Sequence, residues 1–264
     1  MSCSVVVATH GRRPSQLEAL RAALAAQAQP PGGVEILVIE DTAGRGPSAA
    51  RNEGIARAGG ELAVFIDDDC IPEPGWLRAL HARWAGRPDV GIGGTVINGL
   101  GTNRFAAASQ LVHDTAHTWA NRTGVRFFSS NNLALPRAAL LEVGGFNESL
   151  RFAEDRELCD RWVAAGLTLD HEPGAVVRHA HRMRARGFLA QHAGYGQGAW
   201  RFRVVQEASG RPRAPIEPRF YDRLLREAAG RSAGTVALVA AAQLANAVGF
   251  ASAALTDRGR LPRP

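Results

Sequence analysis

The chain has 264 residues, of which 45% are hydrophobic and 21% are charged, with 29 glycines and 14 prolines. This composition is typical of a globular protein with a hydrophobic core and excludes collagen-like and disordered chains. The three cysteines, Cys3, Cys70 and Cys159, lie far apart and form no Cys-x-x-Cys motif. This spacing excludes a disulfide framework and argues against a zinc ribbon, so we expect a reducing compartment.

The charge of the chain comes from an unusual set of basic residues. The formal net charge is +6, and all 31 basic residues are arginine. Arginine binds carboxylates and phosphates through paired hydrogen bonds, so a basic surface favours an anionic partner such as a nucleotide, a nucleic acid or a lipid headgroup. The alternative is that the many arginines and alanines reflect genomic base composition.

The first 85 residues alternate between strand and helix patterns. The apolar, β-branched run Cys3–Thr9 predicts a buried strand. Similar residue patterns predict strands at Val34–Glu40 and Leu62–Ile66 and helices at Pro14–Gln27, Pro47–Ala58 and Pro74–Ala85. This order predicts an α/β domain with a parallel sheet.

The pattern after residue 90 is less regular. Strands are predicted at Val90–Ile97, Asn131–Leu135 and Thr168–His179, the last interrupted at Pro173–Gly174, and helices at Phe105–Trp119 and Glu154–Ala165. The chain after Arg182 is rich in Arg, Ala and Gly and predicts helices, with a proline-rich linker at Arg211–Pro218. Ser232–Leu255 has no charged residue and is long enough to cross a membrane. Its many small residues favour a packed or interfacial helix instead.

Polar residues follow each of the first three predicted strands. They are Thr9–Arg12, Glu40–Thr42 and Asp67–Asp69. Ligands of parallel α/β sheets bind at the carboxyl ends of the strands. We therefore expect these three segments to meet on one edge of the sheet and to form the functional site.

The three consecutive acids Asp67, Asp68 and Asp69 would repel one another strongly without a cation. Carboxylate oxygens suit Mg²⁺ or Mn²⁺, which bind one or two carboxylates together with substrate phosphates. In an extended chain Asp67 and Asp69 point to one face and Asp68 to the other. The alternative is an acidic loop that caps the following helix.

Seven short motifs in residues 3–182, taken in order, resemble those of family 2 glycosyltransferases with the GT-A fold. They are Val5–Arg12, Glu40–Asp41, Ala50–Gly54, Asp67–Asp69, Ser130–Ala134, Gly144–Phe146 and Glu154–Asp155. The chain departs from the family at His10–Gly11, where the family commonly has Asn. The resemblance implies an α/β fold of the GT-A type, a Rossmann-like nucleotide-binding sheet flanked by helices, with a helical C-terminal extension.

The resemblance also implies how the chain is divided. We expect a GT-A catalytic domain over residues 1–182, with a nucleotide-sugar half at about 1–97 and an acceptor half at about 98–182. A helical C-terminal region would follow at 183–264 and contain the apolar helix 232–255.

The chemistry implied by the resemblance is metal-dependent, inverting transfer of a sugar from a nucleoside-diphosphate sugar to an acceptor hydroxyl. Asp155 would take the proton from the acceptor, and Mn²⁺ or Mg²⁺ would stabilise the leaving diphosphate. The expected metal ligands are Asp69, Asp67 and His179, with His181 as an alternative to His179. Helix capping is the alternative role of Asp155, and a surface position is the alternative for each histidine.

The resemblance assigns substrate contacts as well. The donor nucleotide would contact Thr9, Arg12, Asp41, Arg51, Asp67 and Asp68, and the acceptor or sugar would contact Asn131, Asn132 and Glu154. Asp41 would accept an N–H of the base, which uracil, thymine and guanine all offer. We expect UDP as the donor nucleotide ahead of GDP or dTDP.

Two other functions fit parts of the pattern. A nucleotidyltransferase of similar fold also uses acids and a metal, but its glycine-rich basic loop after the first strand is matched here only by Gly11–Arg13. A non-catalytic nucleotide-binding or nucleic-acid-binding protein would use the arginine surplus. The sequence has no helix-turn-helix, zinc-finger or RNP motif, and we expect no nucleic-acid partner.

The apolar C-terminal helix bears on location and assembly. Ser232–Leu255 is flanked by Arg226, Arg231, Arg258 and Arg260. Apolar length with flanking arginines fits peripheral attachment to an anionic leaflet, and the same helix fits a homodimer interface. We therefore expect a cytoplasmic protein, with peripheral contact at the inner face of the membrane and a homodimer through the C-terminal helices as two open options.

Overall fold

The computed structural model describes residues 2–85, 87, 89–122, 124, 126–212 and 217–257. The chain forms two compact units. The first contains residues 1–99, 121–149 and 155–181, and the second contains residues 100–120, 150–154 and 182–264. This division differs from the one expected from sequence, because residues 100–120 belong with the C-terminal helices.

A mixed sheet forms the centre of the first unit. Over the described residues its strands are β1 (Cys3–Thr9), β2 (Val34–Glu40), β3 (Leu62–Asp67), β4 (Cys70–Pro72), β5 (Val90–Asn98), β6 (Leu133–Pro136) and β7 (Thr168–His179). Their order across the sheet is β2-β1-β3-β6-β5-β7-β4. β1 is parallel to β2 and β3, and β5 is parallel to β7. β6 is antiparallel to β3 and β5, and β4 is antiparallel to β7.

Helices cover the sheet and build the second unit. In chain order they are α1 (Pro14–Ala25), α2 (Pro47–Arg57), α3 (Trp76–Trp84), α4 (Arg104–Ala120), α5 (Arg137–Val143), α6 (Glu154–Ala164), α7 (Ala185–Ala208), α8 (Pro218–Ala229) and α9 (Ala233–Thr256). A 3₁₀ turn, Ser130–Asn132, precedes β6. The predicted α/β domain and the helical C-terminal region are both present.

Alternate residues of the central strands face opposite sides of the sheet, as the pleat requires. Val5 and Val7 of β1 belong to a buried cluster with side chains of α1 and α3. Val6 belongs to a second cluster with side chains of α2, α5 and α6. Helices therefore cover both faces, which explains why the central strands are continuous apolar runs in the sequence.

Several predicted elements differ from the structure. The strand predicted at Asn131–Leu135 begins at Leu133, because the two asparagines lie in the 3₁₀ turn. The strand predicted to break at Pro173–Gly174 is continuous, and its pairing with β5 shifts register between Gly93 and Thr95. The sequence pattern does not predict β4 or α5, because three and seven residues are too few to show a clear period.

The strand register brings the polar segments to one edge of the sheet. Thr9 pairs with Glu40, and Ala8 pairs with Asp67, so β1, β2 and β3 end side by side. β6 runs opposite to β3, with Leu133 across from Phe65. The 3₁₀ turn before β6 therefore lies at the carboxyl end of β3.

Two more strands end at the same edge. β5 is antiparallel to β6 and therefore runs in the direction of β3, and β7 runs parallel to β5. Asn98 at the end of β5 pairs with His179 at the end of β7, and His179 also pairs with Cys70 of β4. We call this edge, which includes Thr9, Asp67, Ser130–Asn132 and His179, the carboxyl rim.

The second unit is helical, and its helices α7 and α9 approach closely at glycines. A Cβ added to Gly249 would lie 1.9 Å from the backbone oxygen of Ala193, and one added to Gly196 would lie 1.9 Å from that of Asn246. Both clashes involve backbone, which cannot move aside as a side chain can. The hydrogen side chain of glycine is therefore what allows this spacing.

α9 is the one helix among the described residues that is long and apolar enough to cross a membrane, judged by length and composition alone. Its first turn is capped by Ser232, whose side chain accepts a hydrogen bond from the Thr235 amide. Only 22% of its most apolar stretch is buried. Leu244, Val248 and Leu255 are 60–68% exposed. The predicted flanking residues Arg258 and Arg260 lie outside the described residues, as do residues 213–216 of the predicted linker.

His192 of α7 is fully buried, and neither ring nitrogen has a hydrogen-bond partner among the described residues. The rings of Phe188 and Tyr195 lie 4.6 and 5.4 Å from its ring, centroid to centroid. Burial among these groups disfavours the charged imidazolium and lowers the pKa of His192 to about 4.

This low pKa predicts that the second unit loses stability in weak acid. The pKa of an unfolded histidine is about 6.5, so between pH 6.5 and about pH 4 the unfolded state binds the extra proton. At pH 5 the expected loss is about 2 kcal/mol. Comparing Tm at pH 7 and pH 5 for the wild type and His192→Leu tests this. The variant should lose less Tm between the two pH values, and an equal loss would contradict the assignment.

Candidate active site

A guanidinium joins two of the three acids that follow β3. Nη1 of Arg13 lies 3.0 Å from Oδ1 of Asp68 and 2.6 Å from Oδ2 of Asp69. Asp68 also accepts a 2.6 Å hydrogen bond from the Thr9 hydroxyl. Both carboxylates are almost fully buried, with 4% and 3% of their surface exposed. Buried carboxylates need such partners, because an unpaired buried charge is very costly.

Asp67 has a different partner from its two neighbours. Its Oδ1 accepts a 2.8 Å hydrogen bond from the buried Arg51, whose guanidinium lies 5.3 Å from the ring centre of Phe146. The expectation that Asp67 and Asp69 act together while Asp68 points away is wrong for Asp68. β3 ends at Asp67 and the chain turns there, so the alternation of an extended strand no longer holds, and Asp68 shares Arg13 with Asp69.

Asp69 also contacts the two histidines that follow β7. Nε2 of His179 lies 3.4 Å from one oxygen of Asp69, and Nδ1 of His181 lies 3.5 Å from the other. The amide of Ala180 donates to the Asp69 backbone oxygen at 2.8 Å. Burial alone would raise the pKa of Asp69, but the hydrogen bond and charge of His179, with the charges of Arg13 and His181, lower it to about 2. Asp69 is therefore ionised at neutral pH.

The pKa values of the two histidines shift in opposite directions in this cluster. Burial alone would lower the pKa of His179, but the hydrogen bond and charge of Asp69 raise it. Burial lowers the pKa of His181 and outweighs the attraction of Asp69. His179 and His181 thus share one carboxylate while their protonation preferences differ.

The donor atoms at Asp69 fit a divalent cation. Ligand atoms of Asp69, Cys70 and His179 all lie within 4.8 Å of one another. Burial raises the pKa of the Cys70 thiol well above its ordinary value, which keeps it protonated and a poor ligand. A carboxylate and an imidazole suit Mn²⁺, with phosphate oxygens to complete its coordination. Within the described residues, Asp67 is not part of this group of atoms.

Asn52 connects two of the motifs. Its side chain donates to the backbone oxygen of Phe146 and accepts from the backbone amide of Phe146, both at 2.8 Å. A Cβ at Gly145 would lie 2.7 Å from the Asn52 Oδ1, so this approach requires glycine. Since Arg51 also packs on Phe146, the Ala50–Gly54 and Gly144–Phe146 motifs position the partner of Asp67 together.

Asp41 has a structural role at the start of α2. Its two carboxylate oxygens accept backbone hydrogen bonds from Arg45 at 2.9 Å and from Gly46 at 2.7 Å. These bonds, that of Gly46 most, lower the pKa of Asp41. The carboxylate holds the loop between β2 and α2 at the carboxyl rim, and its contact with a nucleotide base stays a prediction.

Asp155 lies at the carboxyl rim through its contact with the 3₁₀ turn. Its Oδ2 accepts from the Ser130 amide at 3.3 Å, and its Oδ1 accepts from the Arg156 amide at 2.7 Å. Ala153, two residues earlier, has φ of 63° and is the one non-glycine residue with positive φ in the described part of the chain. Such strain persists where the surroundings enforce it and is common at functional sites. Glu154 is buried and is grouped with the second unit.

The two asparagines of the 3₁₀ turn have different roles. Asn132 is 1% exposed, accepts from Trp76 Nε1 at 2.8 Å and donates to the backbone oxygens of Thr95 and Ala175 at 3.0 and 2.8 Å. Its amide group is therefore used inside the fold, and its prediction as a sugar ligand is wrong in this geometry. Asn131 accepts from the Ser129 hydroxyl, and its contact with sugar stays a prediction.

Arg13 contacts the acid cluster although the sequence pattern does not predict it. The predicted residue is Arg12, whose side chain is exposed, whereas Arg13 makes the contacts with the acids. The available signal was a second basic residue directly before Pro14, at the rim expected to carry acids. Choosing between two adjacent arginines requires the conformation of the turn, which the sequence pattern does not contain.

The mixed sheet, with an acid cluster after β3 and histidines after β7, defines the GT-A class of fold. Solved structures agree. A mannosyltransferase from Pyrobaculum calidifontis, solved with GDP-Man and Mn²⁺, has a TM-score of 0.59 and 21% identity over 97% of this chain and 79% of that one. TarS from S. aureus, solved with UDP-GlcNAc, has a TM-score of 0.55 and 17% identity over 86% of this chain and 71% of that one.

Sequence comparison gives a family match over part of the chain. Residues 22–145 match the model described as glycosyl transferase family 2. The pre-mycofactocin glycosyltransferase of Mycobacterium tuberculosis is 29% identical over 171 residues, which are 62% of this chain and 36% of the relative. The chain thus spans about a third of the length of the curated relative that it matches.

The structural role of Asn132 predicts a loss of stability on truncation. Asn132→Ala would leave Trp76 Nε1, the buried Ala175 oxygen and the partly buried Thr95 oxygen without this partner, at a cost of roughly 2–4 kcal/mol. Asn131→Ala is the matched control and should cost less, because the side chain of Asn131 contacts a neighbouring hydroxyl rather than the buried core. Urea unfolding of both variants measures the difference. Equal midpoints would contradict this role.

Proposed function

We propose that the chain is an inverting, metal-dependent glycosyltransferase that moves a sugar from a nucleoside-diphosphate sugar to an acceptor hydroxyl. The observation that carries the proposal is the Asp69–His179–His181 cluster at the carboxyl rim, 3.4–3.5 Å between side-chain atoms, with Asp155 on the same edge. An ionised carboxylate beside imidazoles suits a cation and a diphosphate, and a second carboxylate suits proton abstraction.

We assign Asp69 and His179 as ligands of Mn²⁺ or Mg²⁺, with Asp67 as a further candidate and His181 as the alternative imidazole. The bound ion would supply positive charge that stabilises the leaving diphosphate. Support comes from the similar proteins named above and from GalNAc-T7, solved with UDP, GalNAc and Mn²⁺ at a TM-score of 0.56 and 15% identity. The low pKa of Asp69 keeps its carboxylate ionised for this role.

The chemical step is a direct displacement at the anomeric carbon. The acceptor oxygen forms the new bond to that carbon, the bond to the diphosphate oxygen breaks, and its electron pair leaves with the nucleoside diphosphate. Asp155 takes the proton of the acceptor hydroxyl. Its Oδ2 accepts from the Ser130 amide at the long distance of 3.3 Å, and a carboxylate oxygen has further capacity to accept. Attack opposite the leaving group inverts the anomeric configuration.

Other rim residues would bind the donor and acceptor. Arg51 and Asp67 form one ion pair, Thr9 and Asp68 form a second polar pair, and Arg12 offers an exposed guanidinium, and we assign all five to the donor nucleotide. Asp41 would accept from the base, with UDP expected ahead of GDP or dTDP. Asn131 and Glu154 are the candidates for the acceptor or sugar.

Replacing the proposed base tests the mechanism. Asp155→Asn should lower the transfer rate by roughly 100-fold to 10,000-fold while leaving the affinity for the nucleoside diphosphate nearly unchanged. Glu142→Gln, an exposed acid of α5, is the matched control. The donor for this assay is a nucleotide sugar chosen because it raises the Tm of the wild type. NMR of the product reports its anomeric configuration. A retained configuration, or an active Asp155→Asn, would refute the mechanism.

We further propose that the second unit docks on an anionic membrane through the exposed face of α9. Leu244, Val248 and Leu255 form an uncharged, exposed stripe, and the whole helix lacks charged residues. The second unit contains 16 arginines and 7 acidic residues, whereas the first contains 15 and 18. An apolar stripe on a strongly basic unit complements a negative lipid surface.

Vesicle binding tests this surface. The wild type should sediment with vesicles containing anionic lipid, less with purely zwitterionic vesicles, and less at high salt. The double variant Leu244→Gln, Val248→Gln should lose most of this binding, and Leu141→Gln, an exposed leucine of the first unit, should not. Equal binding by the double variant would contradict the proposal. A concentration-dependent dimer that the double variant disrupts, without vesicle binding, would favour the homodimer instead.

A further inference from the structure

Arg13 contacts the acid cluster but has no role in the chemistry proposed above. A single nitrogen of its guanidinium bridges Asp68 and Asp69, at 3.0 and 2.6 Å. Asp69 Oδ2, one of the two atoms that Arg13 bridges, also lies 3.5 Å from His181. The guanidinium therefore neutralises the same carboxylate that is assigned to the divalent cation, and two cations compete for it.

We propose, resting on the function above, that Arg13 is the resident counter-cation of the acid cluster and that a divalent cation must displace it from Asp69. The released guanidinium then pairs with the diphosphate of the donor, since arginine binds phosphate oxygens through paired hydrogen bonds. Cation and nucleoside diphosphate consequently bind cooperatively, each weakly without the other.

The acid cluster keeps other partners when Arg13 leaves. Asp68 retains the 2.6 Å hydrogen bond from Thr9, and Asp69 retains the contacts with His179 and His181. The carboxylates are therefore held in place by elements other than Arg13. A substitution at Arg13 can therefore change cation binding while the other contacts of Asp68 and Asp69 remain.

Arg13 is also able to move in a way that Arg51 is not. Its side chain is 28% exposed and lies just before α1, whose first residue, Pro14, fixes the backbone. The Arg51 side chain is 5% exposed, bonded to Asp67 and packed on Phe146. Departure of Arg13 needs only side-chain rotation, whereas departure of Arg51 would open the core. Of these two cations, Arg13 is the exchangeable one.

The proposal predicts a specific change in binding. Coupling between two ligands is reciprocal, so the diphosphate strengthens cation binding by the factor by which the cation strengthens diphosphate binding. In the wild type this factor should be about tenfold or more. Arg13→Met removes the competitor and the phosphate partner together. It should bind Mn²⁺ alone about tenfold more tightly than the wild type and gain less from diphosphate than the wild type does, because only direct coordination of the cation by phosphate oxygens still couples the two ligands.

The test uses the full chain and Mn²⁺ as the probe. EPR of free Mn²⁺ gives its Kd for the wild type, Arg13→Met, Arg13→Lys and Arg21→Met, alone and with UDP or GDP. Arg21 is an exposed arginine of α1, so Arg21→Met controls for the loss of one charge. Arg13→Lys keeps a positive charge but lacks the paired N–H groups of a guanidinium, so its Mn²⁺ affinity should lie between those of the wild type and Arg13→Met. If Arg13→Met does not fold, Arg13→Lys is used for the test.

Thermal unfolding gives a second readout. Mn²⁺ should raise the Tm of Arg13→Met more than that of the wild type, because tighter binding to the folded state stabilises it more. Mn²⁺ affinity in Arg13→Met equal to that of the wild type, or an equal gain in Arg21→Met, would overturn the inference. Absence of Mn²⁺ binding in every variant with either diphosphate, or unchanged Mn²⁺ affinity in Asp69→Ala, would instead overturn the proposed metal site.

Discussion

Three successive carboxylates at the end of β3 each require a compensating partner, and the first unit is arranged around that requirement. Arg51 from α2 pairs with Asp67, Thr9 from β1 with Asp68, and the histidines after β7 with Asp69. Because these partners come from separate parts of the chain, the acids cannot form their contacts until the sheet has assembled. Compensation of the negative charge of this short turn thus depends on the order and direction of the strands.

The same dependence explains why the short motifs occur together. Asn52 pairs with the backbone of Phe146, and Phe146 supports Arg51, which pairs with Asp67. A change at Gly145 would disturb Asn52 and, through Phe146 and Arg51, the acid at the end of β3. Residues far apart in sequence therefore act as one polar assembly beside a buried apolar core.

Much of the first unit can be predicted from the sequence alone. Strand runs such as Cys3–Thr9 show their burial directly, and the rule that ligands bind where parallel strands end correctly predicts that Thr9 and Asp67 lie on one edge. The ordered motifs add the GT-A fold. These features depend on local patterns or on simple topology, which a sequence contains.

Other features depend on tertiary detail that the pattern does not contain. The turn after Asp67 decides that Asp68 shares Arg13 with Asp69, and the packing of Trp76 decides that Asn132 is a structural residue. The grouping of α4 with the C-terminal helices depends on contacts with residues that are distant in the sequence. Each requires knowing which side chains meet, whereas the sequence shows only which are suited to meet.

The glycines between α7 and α9 have a consequence for how the second unit can change. At Gly196 and Gly249 the spacing of these helices is fixed by contact between backbones, with no side chain between them. Side chains on the outer face of α9, such as Leu244 and Val248, take no part in setting that spacing. Packing between the helices therefore places no constraint on the outer face, and its surface chemistry can change in evolution without repacking the helices beneath it.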